Sequence, residues 1–187
     1  VRKHKAVFQT STEDRSIPCY HQMAQAVRGG AIGKVARVEV TLPAGQRFPN
    51  EDSAPVPEGL DWDLWLGPAP HVPYTPGRTE AQRWRHVWDY SGGKFSDWGM
   101  HQLDTVQLAL DRERDGPVKV EGRGTVNEGS VYATFIDYEV TYTYADGVKV
   151  GVSSGGTGLM FHGTDGRIGN KEWRGPPEAS SEEILHR

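Results

Sequence analysis

The sequence holds one cysteine, Cys19, and no long apolar run among its 187 residues. A single thiol cannot form an internal disulfide, which favours a reducing compartment such as the cytoplasm. No stretch approaches the roughly 18 apolar residues of a membrane-spanning helix, and the basic N-terminus lacks the apolar segment of a signal peptide. The net charge is −4 and there is no basic tract. These absences predict a cytoplasmic protein whose partners include neither a membrane nor nucleic acid.

Aromatic residues are well represented, with six Trp and seven Tyr. Aromatic rings can pack on the C–H faces of sugars, so the composition favours a carbohydrate or polyol partner. Most such rings serve as core or interface residues in any globular protein, and that alternative stays open here. The length suits one domain with its own core.

Hydrophobic periodicity and turn residues predict a definite order of elements. The predicted elements are a strand at 5–10, a helix from Pro18 to Arg28 with Ser16 as its N-cap, a strand at 35–41, a helical turn at 61–66 capped by Asp61, a helix at 95–110, strands at 118–125, 134–144 and 148–153, and a final hairpin at 159–168.

A run of strands after helices indicates an α+β domain with a mainly antiparallel, open sheet and helices packed on one face. We expect the other face to carry Tyr138, Tyr142 and Tyr144 or their alternates. A bare apolar sheet face is unstable in water, so a second subunit is expected to cover it. The sequence thus predicts a homo-oligomer assembled through the β-sheet.

The richest candidate site follows the paired glycines Gly92 and Gly93. If the helix begins near Ser96, Asp97 lies in its first turn, and His101 and Asp104 follow at i+4 and i+7 on one face. A histidine beside a carboxylate can exchange a proton near neutral pH. The same face is also consistent with a structural polar surface. A metal site is a further alternative, although no third ligand with a recognisable spacing accompanies the Asp and His.

Three stretches together resemble the glucose–fructose oxidoreductase/inositol dehydrogenase (Gfo/Idh/MocA) family. They cover residues 9–15 with 30–35, residues 59–78 with the motif GLDWDLWLGPAP, and residues 84–104 with YSGGKFSDWGMHQLD. The YADG turn ending at Gly147 and the HGTDGRI segment starting at His162 also fit. The resemblance covers nearly the whole chain.

In that family the helix with the pattern D-x-G-x-H-x-x-D lines the sugar pocket. The resemblance therefore implies that Asp97 and His101 form the polar catalytic pair, with His101 exchanging a proton with the sugar hydroxyl. Asp104 is expected to support the helix or His101 and to lie at the substrate site. The further implied substrate contacts are Arg15, Arg85, Tyr90 and Lys94.

The chain departs from the family where a nucleotide should bind. The family's N-terminal half is a Rossmann unit with a glycine-rich turn, and no G-x-G-x-x-G motif occurs here. The catalytic lysine segment is missing too, and Lys94 does not occupy its position. We expect residues 1–34 to be a remnant of the last Rossmann strand with a linking helix, and residues 35–187 to form the substrate-binding and oligomerisation domain. No cofactor is expected for this chain alone, and NAD(P) is expected for the family.

Three functions remain open from the sequence. The first is the carbohydrate-binding domain of a sugar or polyol oxidoreductase. The second is a cofactor-independent glycoside hydrolase or polysaccharide lyase that uses the same pocket. The third is a non-catalytic sugar-binding or oligomerisation module.

Overall fold

The computed structural model describes residues 1–186. Its α-helices are α1 (Pro18–Arg28), α2 (Trp62–Leu66), α3 (Gly93–Ala109) and α4 (Glu182–Leu185). Its strands are β1 (Val35–Leu42), β2 (Lys119–Val126), β3 (Phe135–Thr143), β4 (Lys149–Ser154), β5 (Leu159–Gly163), β6 (Arg167–Asn170) and β7 (Glu178–Ala179). Single 3-10 turns lie at Glu13–Ser16, Pro76–Arg78 and Trp84–His86.

The strands form one seven-stranded sheet in the order β2-β3-β4-β1-β5-β6-β7. Neighbouring strands are antiparallel except β1 and β4, which run parallel. The predicted α+β class with a mainly antiparallel open sheet is confirmed.

Helices α1 and α3 cover one face of this sheet and enclose the main core. Strand alternation directs Val38, Val40 and Leu42 of β1 towards these helices, while the residues between them point the other way. Large side chains without exposed surface fill the space between the layers, among them Tyr20 of α1 and Phe161 of β5. The core thus holds α3 firmly against the sheet, and α3 carries the candidate site.

Of the two alternatives for the face without helices, the tyrosines themselves are wrong and their alternates are correct, because Tyr138, Tyr142 and Tyr144 all pack on the helical side of the sheet. Tyr138 packs edge-on against Phe95 of α3, with ring centroids 5.1 Å apart, and the Tyr144 hydroxyl donates to Gln107 of the same helix. Both tyrosines are buried. The face without helices is polar instead, with ion pairs such as Arg123–Glu139. Helical cover removes the reason to invoke a second subunit over these rings.

The ends of the short helices follow local rules. Pro18 occupies the first position of α1, as expected from its fixed φ and missing N–H. The N-cap is Ile17 rather than the predicted Ser16, and no side chain caps this helix. Asp61 caps α2 as predicted, because its carboxylate accepts from the Leu64 N–H at 2.9 Å.

The predicted strand at residues 5–10 is wrong. Residues 2–5 form a turn and residues 6–12 have no regular structure. Val7 is 97% exposed and Phe8 76% exposed. A strand requires a neighbour for its backbone hydrogen bonds, and within residues 1–186 none pairs with this segment.

The proline-rich segment between β1 and α3 has a small core of its own. The Trp62 and Trp65 rings stack at 4.9 Å, and the Trp62 Nε1–H donates to the Val72 carbonyl at 2.8 Å. Trp62, Leu66 and Tyr74 are buried in this cluster. The two tryptophans therefore anchor the loop.

None of the helices in residues 1–186 combines the length and apolar character needed to cross a membrane.

Candidate functional site

The start of α3 is fixed by a close contact with the loop before β3. Gly93 has φ +68°, and a Cβ at this position would lie 2.3 Å from Thr134 Oγ1. Thr134 in turn contacts the imidazole Nδ1 of His86 at 3.2 Å and donates its N–H to the His86 carbonyl. A glycine is required here because both the backbone conformation and the space exclude a side chain. The contact holds the turn at Trp84–His86 beside the first residues of α3.

Asp97 lies in the second turn of α3, not in the first turn as predicted. The helix begins at Gly93, three residues before the expected start, so Asp97 is its fifth residue and is remote from the helix N-terminus. Its carboxylate pairs with Arg85 Nε at 3.3 Å and lies 3.9 Å from Lys94 Nζ. All three side chains are largely shielded from water. The structure brings these predicted residues together as an ion-paired cluster.

His101 follows one turn later but makes a different contact. Its Nδ1 lies 3.4 Å from Glu13 Oε2, in the 3-10 turn that precedes α1. This Nδ1 is buried and has no hydrogen bond within residues 1–186, while a quarter of the side-chain surface stays exposed. Asp97 and His101 thus share a helix, as predicted, but each faces its own partner.

Asp104 is engaged by Arg15. Arg15 donates from Nε and Nη2 to the two oxygens of Asp104, at 2.6 and 2.5 Å, and from Nη1 to Glu113 at 2.7 Å. The hydrogen bond to Asp104 raises the pKa of the Arg15 guanidinium. These two predicted site residues therefore fasten the segment before α1 to α3, and Asp104 does not contact His101.

Tyr90 lies in the aromatic cluster of the proline-rich segment. Its hydroxyl accepts a hydrogen bond from Arg78 Nη1 at 2.7 Å, and its ring meets Trp65 edge-on at 5.1 Å. Together with Trp84 and Asp89 it lines a surface pocket. No ion pair or hydrogen bond in the described chain joins Tyr90 to Asp97 or His101.

Four residues around His101 were not predicted from the sequence: Glu13, Asp14, Trp173 and Arg174. Arg174 donates from Nη2 to Asp14 at 2.9 Å and to Glu13 at 3.1 Å. Asp14 has no exposed surface, and its second oxygen accepts from Trp173 Nε1 at 2.8 Å. The adjacent acids in the segment STEDR were the available signal, but their partner lies about 160 residues away.

The two tryptophans beside this cluster form a partly exposed aromatic surface. The Trp98 ring of α3 contacts the Trp173 ring at 4.9 Å, and the Arg174 guanidinium lies 4.1 Å above Trp173. Trp98 lies between Asp97 and His101 in sequence. Aromatic faces of this kind can pack on the C–H surface of a sugar ring.

Glu13, Asp14 and His101 could in principle hold a metal ion. Each offers one ligand atom, and the three atoms lie within 4.8 Å of one another. The guanidinium of Arg174 already forms ion pairs with both carboxylates. Oxygen ligands of a bound cation would have to give up these contacts, so the arrangement fits a salt-bridge network better than a metal centre.

Comparison with protein families identifies the domain. Residues 36–171 match the oxidoreductase family, C-terminal alpha/beta domain, of the Gfo/Idh/MocA type. The chain belongs to this family. The resemblance inferred from the three sequence stretches is thereby confirmed, and the mainly antiparallel sheet is the fold of that C-terminal domain.

Solved structures share this fold at low sequence identity. An inositol dehydrogenase homolog from Azotobacter vinelandii, complexed with NAD+, has a TM-score of 0.60 at 14% identity over 94% of this chain and 45% of its own. The WlbA dehydrogenase from Bordetella pertussis, in complex with NADH and UDP-GlcNAcA, has a TM-score of 0.56 at 14% identity, over 88% of this chain and 43% of its own. An oxidoreductase from Thermotoga maritima has a TM-score of 0.56 at 15% identity, over 97% of this chain and 49% of its own.

The chain spans less than half the length of each of these three solved proteins. Among curated proteins, no sequence matches it. The matched family thus establishes the kind of domain.

Proposed function

We propose that this chain is the substrate-binding domain of a sugar or polyol oxidoreductase, with His101 as the group that exchanges a proton with the reacting hydroxyl. The proposal rests on the surroundings of the His101 ring. Its Nδ1 is buried beside a carboxylate, while part of the ring remains open to a ligand. An imidazole held in this way suits general acid–base catalysis near neutral pH.

Asp97 and its two cations are proposed to bind the polyol. The carboxylate can accept hydrogen bonds from sugar hydroxyls, and the Arg85 and Lys94 groups can donate to sugar oxygens. Trp98 would then offer an apolar face beside them. Arg15 and Asp104 are proposed to support this site indirectly, because their salt bridge joins the turn before α1 to α3.

The glycine-rich segment between β4 and β5 does not fit a dinucleotide. The glycines between β4 and β5 lead into a strand, whereas a pyrophosphate site needs a glycine turn that opens a helix. A Cβ at Gly156 would meet Thr41 Oγ1 at 2.6 Å, so this glycine makes room for its own sheet. NAD(P), which would accept or supply the hydride, is therefore proposed to bind outside these residues, with residues 1–34 next to the nucleotide-binding part.

Calorimetry of the chain with a panel of polyols and sugars, including myo-inositol and glucose, tests the proposal. We expect at least one compound to bind, and His101→Gln and Asp97→Asn each to weaken it by about tenfold or more, the effect of one lost hydrogen bond to a charged group. His162→Gln is a matched control, because His162 also lies near a glutamate but on the opposite face of the sheet.

Two results would overturn the proposal. Tight binding of NAD(H) or NADP(H) to this chain would contradict the placement of the nucleotide outside it. Cleavage of oligosaccharides without any nucleotide would replace the oxidoreductase with a hydrolase or lyase.

The predicted homo-oligomer is proposed to form at the free edge of β2. Within residues 1–186 no strand pairs with the outer side of β2, and Val118 and Val120 are exposed there. If a second copy pairs antiparallel about Gly122, Glu121 of each copy lies opposite Arg123 of the other. A self-complementary edge of this kind favours a two-fold dimer over unlimited strand addition.

Sedimentation equilibrium measures the mass of the native chain. We expect a dimer in the wild type, a monomer in Glu121→Arg, and recovery of the dimer in the double variant Glu121→Arg/Arg123→Glu. A monomeric wild type, or a single variant that stays dimeric, would contradict pairing at the β2 edge.

We also propose a location in the cytoplasm, based on the single thiol.

A further inference from the structure

The contacts of His101 single out a carboxylate that the sequence pattern does not. Asp97, the expected partner four residues earlier on the helix, is paired with Arg85 and Lys94. The carboxylate that pairs with the buried Nδ1 of His101 belongs to Glu13, 88 positions earlier in the chain. The contact length of 3.4 Å is long for a hydrogen bond. In ligand-free enzymes catalytic hydrogen bonds are often long and tighten on binding.

Glu13 is itself held in place on two sides. Ser11 Oγ donates to Glu13 Oε2 at 2.8 Å, and Arg174 Nη2 donates to Oε1 at 3.1 Å. Hydrogen bonding from the backbone and from Ser11 lowers the pKa of the Glu13 carboxyl, so this group is ionised at neutral pH. An ionised carboxylate at this position can accept a hydrogen bond from Nδ1–H but has no proton to donate to a bare Nδ1.

We infer that Glu13, rather than Asp97, is the positioning residue that holds the proton of neutral His101 on Nδ1. The lone pair then lies on Nε2, the ring nitrogen left for the substrate hydroxyl. The consequence for catalysis rests on the function proposed above, whereas the tautomer is a property of the ligand-free chain. The hydrogen bond made by one ring nitrogen decides which tautomer is present.

Arg174 connects this arrangement to the C-terminal segment. Besides its bonds to Glu13 and Asp14, its backbone N–H donates to the Tyr20 hydroxyl at 3.1 Å. Trp173 donates its backbone N–H to Thr157 Oγ1. The segment therefore links the Glu13 carboxylate to the loop between β4 and β5 and to α1, and orients it towards His101.

Long-range ¹H–¹⁵N spectra of the ¹⁵N-labelled chain measure the tautomer directly, at a pH well above the ordinary histidine pKa of about 6.5. The His101 ring is assigned by its disappearance in His101→Gln. We expect the Nδ1–H form in the wild type and its loss in Glu13→Ala. Glu13→Gln retains an acceptor oxygen, so we expect partial retention of the Nδ1–H form.

Two controls separate orientation from a general disturbance. Glu113→Ala removes a glutamate of equal exposure that is also bound to an arginine, and it should leave the His101 shifts unchanged. Asp97→Asn should leave them unchanged as well. Amide spectra of every variant report whether the fold is intact.

The inference is overturned if His101 is Nε2-protonated in the wild type, or if Glu13→Ala leaves the tautomer as it was. A tautomer change in Asp97→Asn but not in Glu13→Ala would restore Asp97 as the partner. Because no ligand is present, a failure to bind any polyol would refute the proposed function and leave this measurement unaffected.

Discussion

The two halves of α3 are built for different purposes. Residues 93–101 carry the charged and polar groups of the candidate site, and Asp97 and His101 there are only partly buried. Residues 102–109 supply Gln102, Thr105 and Val106 with essentially no exposed surface. One continuous helix thus joins the half that carries the candidate site to a structural half.

This division explains how partly exposed side chains keep a fixed geometry. Surface ion pairs contribute little stability by themselves, because solvent screens them and long side chains lose entropy. The buried half of the helix contributes the packing that fixes the backbone, and the site residues extend from that backbone. Site variants should therefore change binding with little change in stability, and core variants should do the reverse.

The largest expected effect is on the core under the middle of α3. Leu42 has no exposed surface, and its Cδ1 lies 3.7 Å from the position of a Cβ on Gly99 of the helix. Leu42→Ala leaves a cavity there and should lower the free energy of unfolding by about 2–5 kcal/mol. Urea denaturation measures it. Leu64→Ala, at a residue 78% exposed, should cost less than about 0.5 kcal/mol. Equal costs would mean that α3 does not depend on this contact.

A smaller effect is the crowding expected at the first residue of the helix, measured as the difference between two glycine variants. Gly93→Ala places a methyl 2.3 Å from Thr134 Oγ1 at a positive φ. Gly30→Ala is the matched control, because Gly30 has φ +78° and no atom within 4 Å of the added Cβ. The control should cost about 1–2 kcal/mol from backbone strain alone.

Crowding should add about 1–3 kcal/mol in Gly93→Ala. The difference between the two variants, read from urea denaturation, measures how tightly the helix start is held against the loop before β3. Two variants of equal stability would show that Thr134 moves aside without cost.

The same division separates what could be predicted from the sequence from what could not. The helix α3 and strands β1 and β3–β6 were predicted within about two residues, because their patterns of apolar residues are local. The predicted strand at 5–10 is wrong because a short apolar run cannot show that a neighbouring strand exists. The start of α3 was misplaced because Gly93, read as a break, is the first residue of the helix, at a φ of +68° that glycine adopts readily.

The candidate site was only partly predictable for a related reason. Spacing placed Asp97 and His101 on one helix, which the structure confirms, and a resemblance named Arg15 and Arg85. Their partners were not predictable, because Arg15 meets Asp104 and Glu13 meets His101 across almost 90 positions. Those pairings depend on how α1 packs on α3, and no local pattern encodes that packing.

The smallest expected effect is a pH dependence that arises beside the candidate-site half of α3. His86 has no exposed surface, and burial lowers the pKa of its imidazole, with the charge of Lys94 adding to the shift. The unfolded chain therefore binds a proton near pH 6.5 that the folded chain does not yet bind. Stability contributed by neutral His86 is present above that pH and is lost as the pH falls through the lowered pKa.

His86→Gln removes this titration, so its free energy of unfolding should fall less than that of the wild type between about pH 7.5 and 5.5. Urea denaturation at both pH values gives the two slopes, and taking their difference cancels the other histidines. His4→Gln, at an exposed position in the N-terminal turn, should keep the slope of the wild type. Parallel slopes for wild type and His86→Gln would mean that His86 is protonated as readily in the folded chain as in the unfolded one. The Thr134 contact would then hold α3 through a charged ring instead of a neutral one.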